Sequence, residues 1–267
     1  MGSSDPVLSL LKDFSYNVVR LPRANIRPLQ LFEKQDNDLV FLGDIAKLFK
    51  AGPGAPLPDI GPDEQAAFIN GQRSRDLNLS VGLSILSGII GALGGGTLGL
   101  SLGYKKASTI SFVFDDVKLN QVDRLDLSRF LTGATIDEAV GPPAKLVEAD
   151  KIYVVTNVIK SKKFTTDAKK SDGTSVGVDV PVIQNAMSGK VAVKTESSSQ
   201  ARVTYEGSIP LVFGFQAIRL IYEDGHFVQA IPVGPTEAGM RAIENDEEPE
   251  MLETESPFTP VYIEPDA

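Results

Sequence analysis

The feature that most constrains this chain is a long segment without charge, residues 77–104. No charged residue occurs between Asp76 and Lys105, and eight of these 28 residues are glycine. A segment this apolar must be covered in a water-soluble form or must face lipid in a membrane-bound one. The way this segment folds therefore decides what the protein can do.

Two periodicities compete within the segment. Its first part alternates apolar residues with small or polar ones, and the alternation resumes after the glycine triplet 94–96 and extends to Phe114. A period of two is typical of a strand with one apolar face. Runs of about 9–11 such residues are long enough for a membrane-spanning β-strand. The predicted membrane-inserting positions are Leu79, Val81, Leu83, Leu98, Leu100 and Leu102.

The same segment also fits a helix. Residues 87–93 are continuously small and apolar, and Gly91, Gly95, Gly99 and Gly103 recur every four residues, as in close-packed transmembrane helices. Because each glycine weakens a helix by ~1 kcal/mol relative to alanine, a permanent membrane helix is disfavoured. A buried pair of core strands in a soluble protein is the third interpretation. A segment compatible with both periods could also change structure when its environment changes.

The composition describes a globular body with an acidic end. The 267 residues are 42 % hydrophobic, which is enough for a sizeable core in one large domain or two small ones. The absence of cysteine excludes disulfides and suits a reducing compartment. Net charge is −9, and nine acidic residues but no basic one follow Arg241. The rest of the chain is therefore neutral, and we expect an intact protein without a signal peptide to be cytoplasmic.

Patterns outside the uncharged segment predict a mixture of helices and strands. We expect helices over residues 6–16, 41–50 and 123–130. Strands are expected over residues 16–21, 151–164, 176–180, 191–193, 203–205 and 210–222. A turn is expected at residues 171–174 and a hairpin at Asp224-Gly225.

No motif for catalysis, a cofactor or a metal stands out. Gly94–Gly99 fits G-x-G-x-x-G, but the residues that follow alternate with a period of two, whereas a dinucleotide site requires a helix there. His226 is the only histidine and lies beside a hairpin turn, so zinc has too few ligands. The pair Asp115-Asp116 is typical of a solvated strand end. We therefore expect neither an enzyme nor a resident cofactor.

Lysines concentrate at two places, the end of the uncharged segment and the second strand pair. They fit either solvated strand ends or contact with an anionic membrane surface, which is worth ~1 kcal/mol per charge. Nucleic acid is disfavoured as a partner because no row of stacking aromatics accompanies the lysines. The predicted lipid-facing lysines are Lys105, Lys106, Lys160, Lys162 and Lys163.

Three blocks of the sequence resemble the bacterial gasdermins. They are Tyr16-Asn-Val-Val-Arg-Leu-Pro-Arg with Ile26-Arg-Pro-Leu, the glycine-rich block of residues 81–107, and residues 205–217 (Tyr-Glu-Gly…Pro-Leu-Val-Phe-Gly-Phe-Gln-Ala). The resemblance covers essentially residues 5–235 and is most specific in the glycine-rich block. It implies an α+β body, residues 1–235, with a central twisted antiparallel sheet and surrounding helices.

The resemblance also implies a mode of action. A short C-terminal peptide, residues 257–267, would hold the body inactive until a partner protease, caspase-like or trypsin-like, cuts the acidic linker, residues 236–256. The freed body would then assemble with further copies into a very large β-barrel pore in the inner membrane and kill the infected cell as phage defence. Candidate residues before the cut are Arg241, Asp246 and Leu252, and candidate anchors of the peptide are Phe258, Val261, Tyr262 and Ile263.

One family feature is missing from this chain. Bacterial gasdermins usually carry a palmitoylated cysteine near the start, whereas this chain has Gly2-Ser3-Ser4 and no cysteine. Either this member acts without the acyl chain, or its start has been altered.

The residues also support the pore interpretation on their own. Residues 77–86 with 98–114, and 151–164 with 174–194, would supply four membrane strands per subunit. Because membrane strands need a closed barrel and four cannot close one, oligomerisation would be required. The alternative from another class is a soluble binding or scaffold module with a regulatory acidic tail.

Overall fold

The computed structural model describes residues 16–35, 38–74, 76–186, 189–196 and 199–233. Within these ranges the chain is a mixed α+β body around one large antiparallel sheet, which confirms the predicted fold class. The helix predicted over residues 6–16 lies outside the described residues except for its last position. The predicted linker and C-terminal peptide also lie outside them.

The described elements run as follows. The strands are β1 (Asn17–Arg23), β2 (Gln30–Gln35), β3 (Asp38–Asp44), β4 (Phe49–Lys50), β5 (Glu64–Gln65), β6 (Leu77–Asn78), β7 (Thr109–Asp115), β8 (Lys118–Gln121), β9 (Thr135–Ile136), β10 (Ile152–Lys169), β11 (Ala192–Glu196), β12 (Ser199–Glu223) and β13 (His226–Val233). The helices are α1 (Ile45–Leu48), α2 (Leu79–Ala92), α3 (Leu100–Gly103), α4 (Arg124–Gly133), α5 (Pro142–Glu148) and α6 (Val180–Ala186), with a 3-10 turn at Glu138–Val140.

The sheet is organised around two long antiparallel strands, β10 and β12. Their ladder breaks register between Ser161 and Lys163, where residues 207–210 of β12 have no partners on β10. Such a bulge bends the strands and interrupts the sheet. We call residues 152–161 with 211–223 the proximal arm, and residues 163–169 with 199–206 the distal arm.

Both faces of the proximal arm are buried. Strands β1, β2, β8 and β13 pair with it. On one face, Ile152 and Val154 pack with residues of α1, α4 and α5. On the other face, Tyr153 and Val155 pack with Phe215 and residues of β1 to β3. A strand that is apolar on both sides is fully buried, as the sequence predicts.

The distal arm is flanked by short strands and covered by helices. Strand β7 pairs with β10 from Thr109 to Asp115, β6 pairs with β7, and β11 pairs with β12. Residues of α2, α3 and α6 share one apolar cluster with the distal strands. This arm therefore has the uncharged segment as its cover.

Most predictions outside the uncharged segment are confirmed. Strands cover residues 17–23, 152–169 and 199–223, and Asp123 caps α4 by accepting hydrogen bonds from the N–H groups of Leu125 and Asp126. At the predicted hairpin, Asp224 and Gly225 both have positive φ, 50° and 76°, as a two-residue turn requires.

Two predictions outside that segment are wrong. Residues 41–50 contain only the single turn α1 between β3 and β4, because Phe41 and Leu42 belong to β3 and Phe49 pairs with Ile136 of β9. Residues 176–180 are not a returning strand. After the bridge between Lys169 and Ser175 the chain leaves the sheet, and α6 begins at Val180.

Candidate functional site: the helices over the distal arm

The uncharged segment contains two helices in this structure, which contradicts its interpretation as a buried pair of core strands, whereas its insertion as membrane strands stays a prediction. Leu79, Val81 and Leu83 lie in α2, Leu100 and Leu102 lie in α3, and Leu98 lies in the loop between these helices. The physical reason is packing: α2 buries Gly82, Leu86 and Ile90 on one face, and a helix satisfies its own backbone hydrogen bonds without neighbouring strands. Whether these six residues enter a membrane is a separate question.

The buried face of α2 uses residues that interrupt the alternation. Its buried residues are Gly82, Leu86 and Ile90, spaced by four, and both large side chains are fully buried. Asn78 begins the helix by accepting a hydrogen bond from the N–H of Val81 at 3.0 Å. The sequence therefore carries a helical face at even positions in addition to the apolar residues at odd positions.

The four-residue glycine repeat does not line one helix face. Gly91 is exposed in the last turn of α2, and Gly95 lies in a loop. Gly99 is the N-cap of α3 with φ of 94°. A Cβ atom added to Gly103 would meet Ile183 of α6, whereas one added to Gly91 would meet nothing within 4 Å. Because the motif Gly94–Gly99 follows a helix and not a strand, it also lacks the setting of a dinucleotide site.

Three glycines allow the helices to lie close to their neighbours. A Cβ atom added to Gly82 would lie 3.0 Å from Cβ of Ile110, and one added to Gly103 would lie 2.5 Å from Cγ1 of Ile183. One added to Gly207, in the bulge of β12, would lie 2.4 Å from Cδ2 of Leu93. A larger residue at any of the three would push a helix away from its support.

A buried group of three hydroxyls joins the end of α3 to the distal arm. The Tyr104 hydroxyl lies 2.5 Å from Oγ1 of Thr166 and 2.8 Å from the hydroxyl of Tyr205. Thr166 Oγ1 also donates to the carbonyl of Val203 at 3.3 Å. Burial, and then the neighbouring Tyr104, raise the pKa of Tyr205. A buried hydroxyl without a hydrogen-bond partner raises the free energy of the folded state, so these contacts favour the packing of α3 against the distal arm.

Two leucines of the segment remain exposed. Leu98 is 86 % exposed and Leu102 is 61 % exposed, and both precede the exposed Lys105 and Lys106 in the chain. Exposed leucines next to lysines form a surface that suits an anionic membrane. Among the described residues, no helix combines the length and apolar character needed to cross a bilayer.

The structure divides the predicted lipid-facing lysines into two groups. Lys105 and Lys106 line a groove beside α3. Lys160 is mostly buried and pairs with Asp63 at 2.9 Å, and Lys162 lies 3.7 Å from Glu206. Lys163 lines a cavity of about 20 Å³ between α2 and the sheet. The five lysines therefore do not form one surface in this state.

Other candidates from the sequence have ordinary surroundings. His226 is exposed, Asp115 accepts a hydrogen bond from Thr165, and Asp116 pairs with Lys118. No group of three or more His, Cys, Asp or Glu among the described residues could hold a metal ion. The candidate cleavage residues Arg241, Asp246 and Leu252, and the anchors Phe258, Val261, Tyr262 and Ile263, lie outside the described residues.

The sequence analysis did not predict the buried cluster of three hydroxyls or the bulge in β12. Tyr104, Thr166 and Tyr205 lie far apart in the chain, and nothing in their local patterns links them. The one available signal was a pair of polar threonines, Thr165 and Thr166, within an apolar strand.

Comparison with known proteins identifies the family. The sequence model of the Bacterial Gasdermin Family matches residues 19–226. A gasdermin of a Desulfuromonadales bacterium is 45 % identical over 243 residues, which cover 91 % of each chain. The chain belongs to the bacterial gasdermin family. A gasdermin of Lysobacter enzymogenes is 40 % identical over 227 residues, covering 85 % of this chain and 84 % of the relative.

The fold agrees with that assignment. The structure of a bacterial gasdermin from Bradyrhizobium tropiciagri matches with a TM-score of 0.62 at 19 % identity, covering 86 % of this chain and 92 % of that one. Bacterial gasdermins are a pore-forming, non-enzymatic family, so membership supports a pore-forming role for this chain.

Proposed function

We propose that this gasdermin is a protease-activated pore-forming protein in which α2 and α3 become membrane strands. The observation that carries the proposal is the register of β6 and β7. Leu77 pairs with Ile110 and Asn78 pairs with Thr109, so the helical segment is an insertion between two strands that are already antiparallel neighbours. Continuing this register step by step leads to a hairpin whose tip falls at residues 93 and 94, beside the glycine triplet.

The extended register also separates the side chains by polarity. Directly opposite residues of an antiparallel pair point to the same face, so odd positions before the tip share a face with even positions after it. The large apolar residues on that face are Leu79, Val81, Leu83, Ile85, Ile89, Leu98, Leu100, Leu102 and Tyr104. Ser87 and Lys106 share this face, and Leu86 and Ile90 fall on the other one. The other face is mostly glycine, serine and threonine. One apolar and one polar face is the pattern of a membrane β-strand.

A second hairpin has its turn in place. The N–H of Lys170 donates to the carbonyl of Thr174 at 2.8 Å, and the N–H of Val176 donates to that of Ala168 at 3.0 Å. For residues 176–186 to continue back along β10, α6 would have to unwind, and residues 202–206 of β12 would have to leave the edge of β10 with which they now pair. Each subunit would thus contribute four strands, and because four cannot close a barrel, many copies would have to assemble.

Cutting of the C-terminal tail would activate the protein. A partner protease, caspase-like or trypsin-like, cuts within residues 236–256 of the cytoplasmic chain, and Arg241, Asp246 and Leu252 are the candidate positions. Before the cut, the apolar end with Phe258 and Ile263 restrains the body. After it, the body enters the inner membrane, and the pores kill the infected cell in antiphage defence.

A disulfide between α2 and β7 tests the conversion directly. The chain has no cysteine, and a Cβ at position 82 lies 3.0 Å from Cβ of Ile110, slightly closer than the ~3.5–4.5 Å of a disulfide. In the proposed hairpin these two positions move apart. The test uses the full chain with Gly82→Cys and Ile110→Cys and a specific protease site within residues 236–256. After cutting, only the reduced protein should release dye from liposomes.

A second cysteine pair controls for oxidation itself. Ile221 and Gln229 are directly opposite on β12 and β13, in the proximal arm and not under α2 or α3, so a disulfide there should leave dye release unchanged. Dye release by the oxidised 82–110 variant would contradict the conversion. Failure of every cut protein to release dye would instead favour the binding or scaffold module.

A charged residue on the proposed lipid face should abolish the pore. Leu102 is largely exposed, so Leu102→Arg should leave the folded body intact. In a membrane strand an arginine costs about 2–4 kcal/mol per subunit at the bilayer midplane, and we expect dye release to be lost. Leu125→Arg, on the exposed face of α4, is the matched control. Equal dye release by the two variants would place Leu102 away from lipid.

A further inference from the structure

A basic groove lies beside the segment that is proposed to convert. It has a volume of about 830 Å³ and runs between the end of α3 and residues 175–181. Lys105, Lys106 and Lys170 line it and are exposed. None of the three has an ion pair within the described residues, and Asp179 is the one acidic residue among those lining the groove.

The chain itself carries the complementary charge. Nine acidic residues and no basic one follow Arg241, and seven of the nine fall within residues 244–255. The rest of the chain is neutral overall, so attraction to this stretch must come from local lysine clusters. Because Lys160 and Lys162 already have acidic neighbours, the groove is the lysine cluster best able to attract it.

The length of the tail fits the distance to the groove. The last described residue, Val233, pairs with Ala217, which lies opposite Val155 of β10. From Val155 to Lys170 is 15 residues of strand, or roughly 50 Å at about 3.3 Å per residue. An extended tail of 15 residues from Val233 spans about the same distance and reaches residue 248. The acidic stretch therefore begins to reach the groove where its charge is densest.

We propose that acidic residues 244–255 of the intact chain dock in this lysine groove. The proposal rests on the proposed function, because docking there would hold α3 and the start of α6 in their helical state. A cut after Asp246 or Leu252 would leave part of the acidic stretch tethered to the body. A cut after Arg241 would convert an intramolecular contact into a weak bimolecular one. It would also free Lys105, Lys106 and Lys170 to meet an anionic membrane after the cut.

Zero-length cross-linking with a carbodiimide tests the docking in the full-length protein. This reagent joins a lysine amine directly to a carboxylate in contact with it. We expect cross-links between residues 244–255 and Lys105, Lys106 or Lys170 within one chain, identified by mass spectrometry. Raising the salt to about 0.5 M shortens the screening length to roughly 4 Å and should suppress them.

Charge variants make the test specific. Changing the groove lysines Lys105, Lys106 and Lys170 to glutamate should release the tail. The expected readout is faster cutting within residues 236–256 by an added protease, by about tenfold for three lost pairs. Lys47→Glu with Lys145→Glu is the matched control, since both lysines are exposed on helices of the proximal arm. Replacing Glu247, Glu248 and Glu250 by lysine in the charge-reversed groove should restore slow cutting.

Several results would overturn the proposal. Cross-links spread equally over Lys47, Lys145 and the groove would mean that the tail has no preferred site. Cross-links only between chains would assign the groove to a second copy. Protection of the groove lysines from acylation by phosphatidylserine vesicles, with no cross-link to the tail, would assign it to lipid. Dye release by the cut protein is a separate measurement, so failure of the docking leaves the pore-forming proposal standing.

Discussion

The two arms of the sheet differ in the side chains that pack against them. In the proximal arm, aliphatic and aromatic side chains bury both faces of β10, and Phe114 and Phe213 stack at 4.5 Å near the bulge. The distal arm has hydroxyls within its core and glycines at its closest helix contacts. The first arrangement resists separation because it is close-packed. The second is held by a few contacts that can be lost one at a time, which suits a removable cover.

The largest expected effect concerns the proximal core. Phe215 is fully buried there, and Phe215→Ala should lower the free energy of unfolding by about 3–5 kcal/mol because it leaves a cavity. We expect this loss without any gain of dye release by the uncut protein, measured by denaturant unfolding and liposome leakage. Leakage from uncut Phe215→Ala would show that the proximal arm also restrains the cover.

High pH should weaken the folded body through its buried tyrosines. Burial raises the pKa of Tyr16 to about 12 and also raises that of Tyr222. The folded state therefore keeps protons that the unfolded state releases above pH ~10, so stability is full below that pH and is lost as the pH rises through about 12. Each such group contributes a slope of about 1.4 kcal/mol per pH unit. Unfolding midpoints that stay constant as the pH is raised above 10 would contradict this prediction.

Changing the bulge glycine should separate the cover from the body. Gly207→Val puts side-chain atoms where Leu93 lies, and overpacking of this kind costs about 1–3 kcal/mol. Because the strain falls on the end of α2, we expect dye release by the uncut protein as well as a lower unfolding midpoint. Adding Leu93→Ala to Gly207→Val should abolish dye release by the uncut protein, because it removes the side chain that clashes. A Gly207→Val protein as inert as the parent would mean that this contact does not hold the cover.

The sequence predicted the proximal arm well and the distal cover poorly, for one physical reason. Residues 210–222 and 77–86 both look like strands, but the first stretch has neighbours on both sides in the sheet. In the second stretch only Leu77 and Asn78 pair with a strand, β7, and the helix that follows packs through Leu86 and Ile90. A local pattern cannot say whether partner strands are available. The meeting of Tyr104 with Thr166 depends on that same packing, so it could not be predicted either.

The smallest expected effect compares one tyrosine in each arm. The Tyr104 hydroxyl has two partners, whereas the Tyr222 hydroxyl is buried without a hydrogen-bond partner among the described residues. Tyr104→Phe should therefore lower the free energy of unfolding by about 0.5–1.5 kcal/mol, and Tyr222→Phe should leave it unchanged or raise it. Tyr104→Phe should also speed dye release after cutting, because it removes a contact that seats α3.

The matched pair makes the comparison sharp. Both substitutions remove a single oxygen from a buried ring, so the change in volume is the same, and only the lost hydrogen bonds differ. Unfolding in denaturant and the rate of dye release after cutting are measured on both proteins. If Tyr222→Phe lowered the free energy of unfolding as much as Tyr104→Phe, the cluster of three hydroxyls in the distal arm would have no special role in holding the helices over it.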